Sequence, residues 1–91
     1  MGENYDRRKR ADLYRATRFD EDRTQKEMCL DYLERYDSIT PYEALIAFGS
    51  FRLAAIICEL RKEGYVITTE IAKKKSYAIY TMMKEGEEYD A

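Results

Sequence analysis

The side chains in this sequence that are best suited to hold a ligand are cationic, and they fall in three places. They are Arg7, Arg8, Lys9 and Arg10 near the start, Arg52 in the middle, and Lys73, Lys74 and Lys75 near the end. Guanidinium and ammonium groups bind phosphate oxygens, and a guanidinium also reaches two acceptors at once. These side chains are therefore suited to binding an anion rather than to catalysing a reaction.

Residues for catalysis are scarce. The 91 residues include no histidine, which removes the commonest general base and the commonest metal ligand. Cys29 and Cys58 stand apart in apolar surroundings with no C-x-x-C, and the four glycines form no phosphate-binding loop. We therefore expect no enzyme, no metal and no cofactor.

Composition limits the class of protein further. Hydrophobic residues make up 45% of the chain and charged residues 37%, which suits one small domain with one core. The net charge of −2 excludes a generally cationic DNA coat. No apolar stretch is long enough to cross a membrane, the first residues lack a secretory pattern, and the unpaired cysteines suggest a reducing, cytoplasmic setting.

Two helices are predicted in the first part of the chain. Residues 4–18 would form a helix that spreads the basic cluster around its circumference. Thr24 and Glu27 have the spacing of a capping box, which predicts the start of a second helix over residues 24–36.

Two further helices follow in close succession. Thr40 before Pro41 is a strong helix start, and Gly49 is the expected end. Ser50 then caps the next helix, over residues 51–63, whose core stripe is Leu53, Ile57 and Leu60. Two helices joined by a short turn with a glycine indicate a helix-turn-helix.

The hydrophobic period changes after Gly64. Residues 65–71 and 77–82 are rich in β-branched and aromatic residues and predict two strands, with the polar turn 73–76 between them. We predict an α+β, mainly helical winged helix-turn-helix: three helices and a C-terminal β-hairpin wing. The predicted divisions are a charged helical extension (1–23), the winged domain (24–83) and an acidic tail (84–91).

The middle of the sequence resembles the small helix-turn-helix domains of phages and prophages. The resemblance is carried by Ser38-Ile39-Thr40-Pro41-Tyr42-Glu43-Ala44-Leu45, Phe48-Gly49, Arg52-Leu53-Ala54-Ala55 and Leu60-Arg61-Lys62-Glu63-Gly64-Tyr65. It implies a winged helix that binds DNA. This chain departs from the family at Ile56, where relatives usually carry arginine, and at Ile46, where a polar residue is usual.

A duplex-binding surface is predicted on the second helix of the motif, on the wing and on the basic arm. Its candidate residues are Ser50, Arg52, Glu59, Lys62, Lys73, Lys74, Lys75, Arg7, Arg8 and Arg10. Each group has an alternative. Arg52 would instead pair with Glu43, the lysines would form a solvated turn, and the arm would be an ordinary charged helix.

An apolar surface is the other candidate site. It consists of Tyr42, Ile46, Phe51 and Ile56. We expect all four to be covered, either by a protein partner or second copy, or by Leu13, Tyr14 and Phe19 of the extension. The favoured function is a small phage or mobile-element regulator that binds duplex DNA. The alternative is a protein-binding module that inhibits or recruits a host nucleoprotein machine, as anti-CRISPR proteins do.

Overall fold

A computed structural model describes residues 3–72 and 77–83 of the chain. In order, these residues form α1 (Glu3–Arg18), α2 (Gln25–Tyr36), β1 (Ser38–Ile39), α3 (Pro41–Phe48), α4 (Leu53–Lys62), β2 (Ile67–Ile71) and β3 (Ala78–Met82). The prediction of a mainly helical winged helix-turn-helix with a helical extension is confirmed. No helix in these two stretches has the length and apolar character needed to span a membrane.

Local capping signals set where α2 and α3 begin. The Thr24 hydroxyl accepts from the Glu27 amide, and the Glu27 carboxylate accepts from the Thr24 amide. Thr40 and Glu43 form the same reciprocal pair at the start of α3, where Pro41 occupies the first helical position. Each box satisfies amides that a helix start leaves without partners.

The turn between α3 and α4 corrects the expected start of α4. Gly49 adopts a left-handed backbone, with φ of 69°, and the amides of Gly49 and Ser50 donate to the carbonyls of Leu45 and Ala44. This turn folds Ser50 inward, so that it is only 2% exposed and its hydroxyl accepts from the Arg52 amide. The prediction that Ser50 caps the helix and faces outward is therefore wrong, and α4 begins at Leu53.

The strands form one antiparallel sheet in the order β1-β3-β2. The hairpin of β2 and β3 pairs Ile67 with Met82 and Ile71 with Ala78. The two-residue β1 joins the other side of β3, where Ile39 lies opposite Tyr80. Since β1 comes directly before α3, this pairing fixes the wing against the helix-turn-helix.

The core lies between α2, α3 and α4. Leu53, Ile57 and Leu60 are all buried, as the helical spacing predicts. Ile56 is buried as well, at 4% exposure, because it stands three residues after Leu53 and four before Leu60. The expectation that Ile56 adds to an apolar surface is thus wrong, and the chain's own core covers it.

The N-terminal helix is part of this packing. Tyr14 of α1 is fully buried, and its ring lies 5.3 Å from the ring of Tyr32 and 6.3 Å from that of Phe48, between centroids. Its hydroxyl donates to the Asp31 carboxylate at 2.9 Å. The helix α1 therefore contributes to the same core as α2 and α3 rather than standing apart from it.

Candidate nucleic-acid interface

Three of the predicted contact residues lie at the start of α4 or on its outward face. Arg52, Glu59 and Lys62 are all exposed. Neither Arg52 nor Lys62 forms an ion pair with any residue in the described part of the chain. The alternative interpretation, in which Arg52 pairs with Glu43, is wrong, because that carboxylate is held by α1 instead.

The end of α4 is attached to the wing through Arg61. Its guanidinium donates twice to the Ile67 carbonyl, at 2.9 and 2.6 Å, and once to the Thr69 hydroxyl at 2.6 Å. These bonds join the last turn of α4 to the first half of β2. These bonds therefore help to hold β2 against α4.

The tip of the wing falls outside the described residues. Lys73, Lys74 and Lys75, the predicted phosphate contacts, lie between the two stretches that the structure describes. The chain on either side is described up to Ala72 and from Tyr77, and the Ala72 amide donates to the Tyr77 carbonyl.

The basic arm is folded onto the domain, which changes the role of two of its arginines. Arg7 is 8% exposed and donates to Glu43 at 2.9 Å and to the Ser38 hydroxyl at 3.1 Å. Arg10 donates to Glu43 at 2.7 Å and to the Ser38 carbonyl at 2.7 Å, and its guanidinium lies over the Tyr36 ring. The prediction that both side chains are open to a phosphate is wrong, because both are engaged with Glu43.

A buried carboxylate holds this cluster together. Glu43 is fully buried and accepts from Arg7, Arg10, the Thr40 amide and the Tyr32 hydroxyl. Burial, with the hydrogen bond to Glu43, raises the pKa of Tyr32 well above its usual range. Four donors around one buried carboxylate satisfy it fully, so the cluster serves to anchor α1.

Arg8 stays outside the cluster. Its guanidinium is exposed and lies 3.7 Å from the carboxylate of Asp12, one turn further along α1. Of the three arginines predicted on the arm, it alone is mainly open to solvent.

Phe51 and Tyr42 form an exposed aromatic edge beside the turn. Phe51 is 86% exposed and Tyr42 is 50% exposed. They line a groove of about 360 Å³ whose other walls are Pro41, Leu45, Ser50, Leu53, Ala54 and Tyr80. The expectation that all four apolar residues are covered is wrong for these two, whereas Ile46 is half-buried against the core.

The two cysteines differ in their surroundings. Burial raises the pKa of the Cys29 thiol to about 12, which makes it an unreactive core residue. Cys58 is exposed on the outward face of α4. Within the described residues no group of histidine, cysteine or carboxylate side chains is placed to hold a metal ion.

Comparison with known proteins identifies the fold family. The family model of the winged helix-turn-helix domain matches residues 24–85, well over half of the chain. The chain belongs to this family. The match begins at the cap of α2, so α1 precedes the matched residues. No curated protein and no solved structure gives a match.

Two functional features of the winged domain were missed in the sequence. The role of Glu43 as the anchor for α1 was hidden because its capping-box spacing already explained it. Arg61 lies among charged residues at the end of a helix, where a solvated side chain is the ordinary interpretation. The only available signal was its place four residues before the predicted strand 65–71.

Proposed function

We propose that this chain binds duplex DNA in a sequence-dependent manner, with α4 in the major groove and the wing beside it. In the helix-turn-helix the second helix enters the major groove, and its first residues meet the base edges. On this proposal the protein has no catalytic step and no cofactor. It acts in the cytoplasm by occupying its site.

The observation that carries the proposal is the free cation at the start of α4. Arg52 is exposed, has no ion-pair partner among the described residues, and precedes the first turn of the helix. An arginine in that place can donate to O6 and N7 of a guanine. Lys62, exposed at the far end of the same helix, would bind a phosphate.

The wing supports the same arrangement. Arg61 ties β2 to α4, so a contact made by the wing would be kept in register with one made by the helix. Lys73, Lys74 and Lys75 would then add phosphate contacts without sequence preference. They would give the wing a local positive charge in a chain whose net charge is −2.

The biological role is proposed from the family resemblance. The segment from Ser38 to Tyr65 is similar to small domains of phages and prophages, which supports a regulator encoded by a phage or another mobile element. Binding at a promoter or operator would exclude other proteins from that stretch of DNA.

A titration of the purified full chain against labelled duplex tests the proposal. Random-sequence duplex and a duplex selected from a random pool are each titrated at about 50 and about 200 mM salt. Affinity should fall steeply as salt rises, because displaced counterions drive the binding. No binding to either duplex at the lower salt would refute the proposal.

Two variants distinguish contacts with the phosphate backbone from contacts with the bases. Arg52→Ala should reduce the preference for the selected duplex, by about 1–3 kcal/mol at one base pair. Replacing Lys73, Lys74 and Lys75 by alanine should weaken binding to both duplexes alike. It should also reduce the slope of log affinity against log salt concentration by about 0.9 per lost phosphate contact. Arg35→Ala, an exposed arginine on α2, is the control and should leave the preference unchanged.

A protein-binding module is the second candidate, and the exposed aromatic edge favours it. Phe51 and Tyr42 beside the open groove are the kind of surface that protein interfaces enrich. On this alternative the module would inhibit or recruit a host nucleic-acid machine. Phe51→Arg would then abolish association with that partner while duplex binding stays absent in both proteins.

A further inference from the structure

The first two turns of α4 offer few groups that form hydrogen bonds. The exposed residues from the turn into the helix are Phe51, Arg52, Ala54, Ala55, Cys58 and Glu59, and the Glu59 carboxylate is an acceptor. Only Arg52 among them is a strong donor. A surface that recognises bases by hydrogen bonds alone would carry more donors and acceptors than this.

Small side chains dominate the outward face of the helix at the same place. Ala55 and Cys58 are both exposed there, with Glu59 one turn after Ala55 and Lys62 one turn after Cys58. Methyl and thiol groups are short, so the helix backbone can approach the floor of a groove closely. The apolar side chains on this face would then contact the base edges in the groove directly.

The major groove presents one apolar group, the 5-methyl of thymine. The other exposed base-edge groups are hydrogen-bond donors and acceptors, and alanine and phenylalanine are among the side chains that contact this methyl. We propose that Phe51 and Ala55 select thymine by contact with its 5-methyl group, next to a guanine bound by Arg52. This inference rests on the proposed duplex binding and adds the bases that are read.

The exposure of Phe51 is the second observation. The ring stays 86% exposed although an apolar groove of about 360 Å³ adjoins it. Among the described residues, nothing covers the phenyl group. The ring is therefore available to a ligand at the position where a recognition helix begins.

Replacement of thymine by deoxyuridine tests the inference without changing any hydrogen bond of the base pair. Duplexes selected by the full chain should carry thymine next to guanine. Each contacted thymine is then replaced by deoxyuridine, and the affinity should fall about fourfold per methyl group lost. Replacement of thymines outside the selected site should have no effect.

Protein variants show which side chain senses the methyl. Phe51→Ala should bind the thymine duplex more weakly and should distinguish it less well from the deoxyuridine duplex. Leu13→Ala is the matched control, because this leucine is 55% exposed on α1, and it should keep the full sensitivity. Circular dichroism checks that both variants are folded.

Three results would overturn the inference. Equal affinity of the wild-type chain for thymine and deoxyuridine duplexes would remove the thymine contact but leave duplex binding standing. An undiminished difference between the thymine and deoxyuridine duplexes in Phe51→Ala would show that this ring does not contact the methyl group. Self-association that Phe51→Ala abolishes, together with no deoxyuridine effect, would assign the ring to a second copy of the chain. Absence of any duplex binding would instead refute the proposed function itself.

Discussion

The Arg7 guanidinium lies 2.9 Å from the Glu43 carboxylate, and the two residues stand 36 positions apart in the sequence. The carboxylate is fully buried and the arginine side chain is 10% exposed. Arg10 occupies the other carboxylate oxygen at 2.7 Å. The cations that the sequence suggested for DNA thus connect α1 to the start of α3, inside the helix-turn-helix.

Removal of the Glu43 charge should destabilise the domain strongly. Glu43→Gln keeps the size and the capping position of the side chain, since glutamine also serves in a capping box. It leaves Arg7 buried beside a neutral group, which should cost about 3–5 kcal/mol of unfolding free energy. Urea denaturation measures this, and Glu70→Gln, an exposed site on β2, should change stability by less than about 0.5 kcal/mol. A loss of under 1 kcal/mol in Glu43→Gln would contradict a tightly coupled cluster.

Neighbouring residues of α1 should show that this helix belongs to the folded core. Tyr14 is fully buried against Tyr32 and Phe48, whereas Leu13 is 55% exposed. Tyr14→Ala should cost about 3–5 kcal/mol, and Leu13→Ala should stay within about 0.5 kcal/mol of the wild type. Similar midpoints for the two variants in thermal unfolding would mean that α1 is not docked.

The start of α4 allows a similar comparison. Leu53 is 3% exposed and Phe51 is 86% exposed, although they are two positions apart. Leu53→Ala should cost about 2–5 kcal/mol through the cavity it leaves, while Phe51→Ala should be nearly neutral. Chemical denaturation of both variants measures the difference. A large destabilisation by Phe51→Ala would show that the ring is buried in solution.

Local signals in the sequence were sufficient for most of the fold. Thr24, Thr40 and Gly49 act within four residues of themselves, so their effects on the helix ends could be predicted. The start of α4 could not, because the backbone turn after Gly49 buries Ser50 and delays the helix by two residues. The stripe of Leu53, Ile57 and Leu60 is only part of the buried face of α4, which also includes Ile56.

Contacts between residues far apart in the sequence explain the remaining differences between the predicted and the observed candidate site. Composition shows that Arg7 and Arg10 are cations, but only the fold shows that the buried Glu43 lies within reach of both. The exposure of Phe51 depends in the same way on the geometry of the turn. A sequence pattern fixes which side chains share a helix face, whereas the residue that covers them is set by packing.

The Asp31 carboxylate should make stability depend on pH in acid. Burial tends to raise its pKa, but hydrogen bonds from Arg18 and Tyr14 outweigh burial and hold the pKa below its usual value of 3.8. Because the folded state binds the proton less tightly, the contribution is present above about pH 4 and is lost as pH falls through the folded pKa.

Asp31→Asn should remove this contribution. The difference in unfolding free energy between wild type and variant should be largest near pH 7 and should shrink at about pH 3. Asp12→Asn is the control, because its pair with Arg8 is exposed and such pairs contribute little. A difference that is the same at both pH values would contradict the assignment.

The link between α4 and the wing should control DNA affinity more than stability. Arg61 makes three hydrogen bonds from one planar guanidinium to Ile67 and Thr69, and it lies at the protein surface. Arg61→Lys keeps the positive charge but cannot donate in the same forked geometry, so it should loosen β2 nearly as much as Arg61→Gln does. Both variants should speed amide hydrogen exchange in β2 and weaken duplex binding, with a stability loss of about 1–2 kcal/mol. Lys62→Gln, the adjacent exposed cation, should reduce the salt dependence of binding but leave exchange in β2 unchanged. If Arg61→Lys retained wild-type affinity and exchange, the charge of Arg61 would matter for binding and its hold on the wing would not.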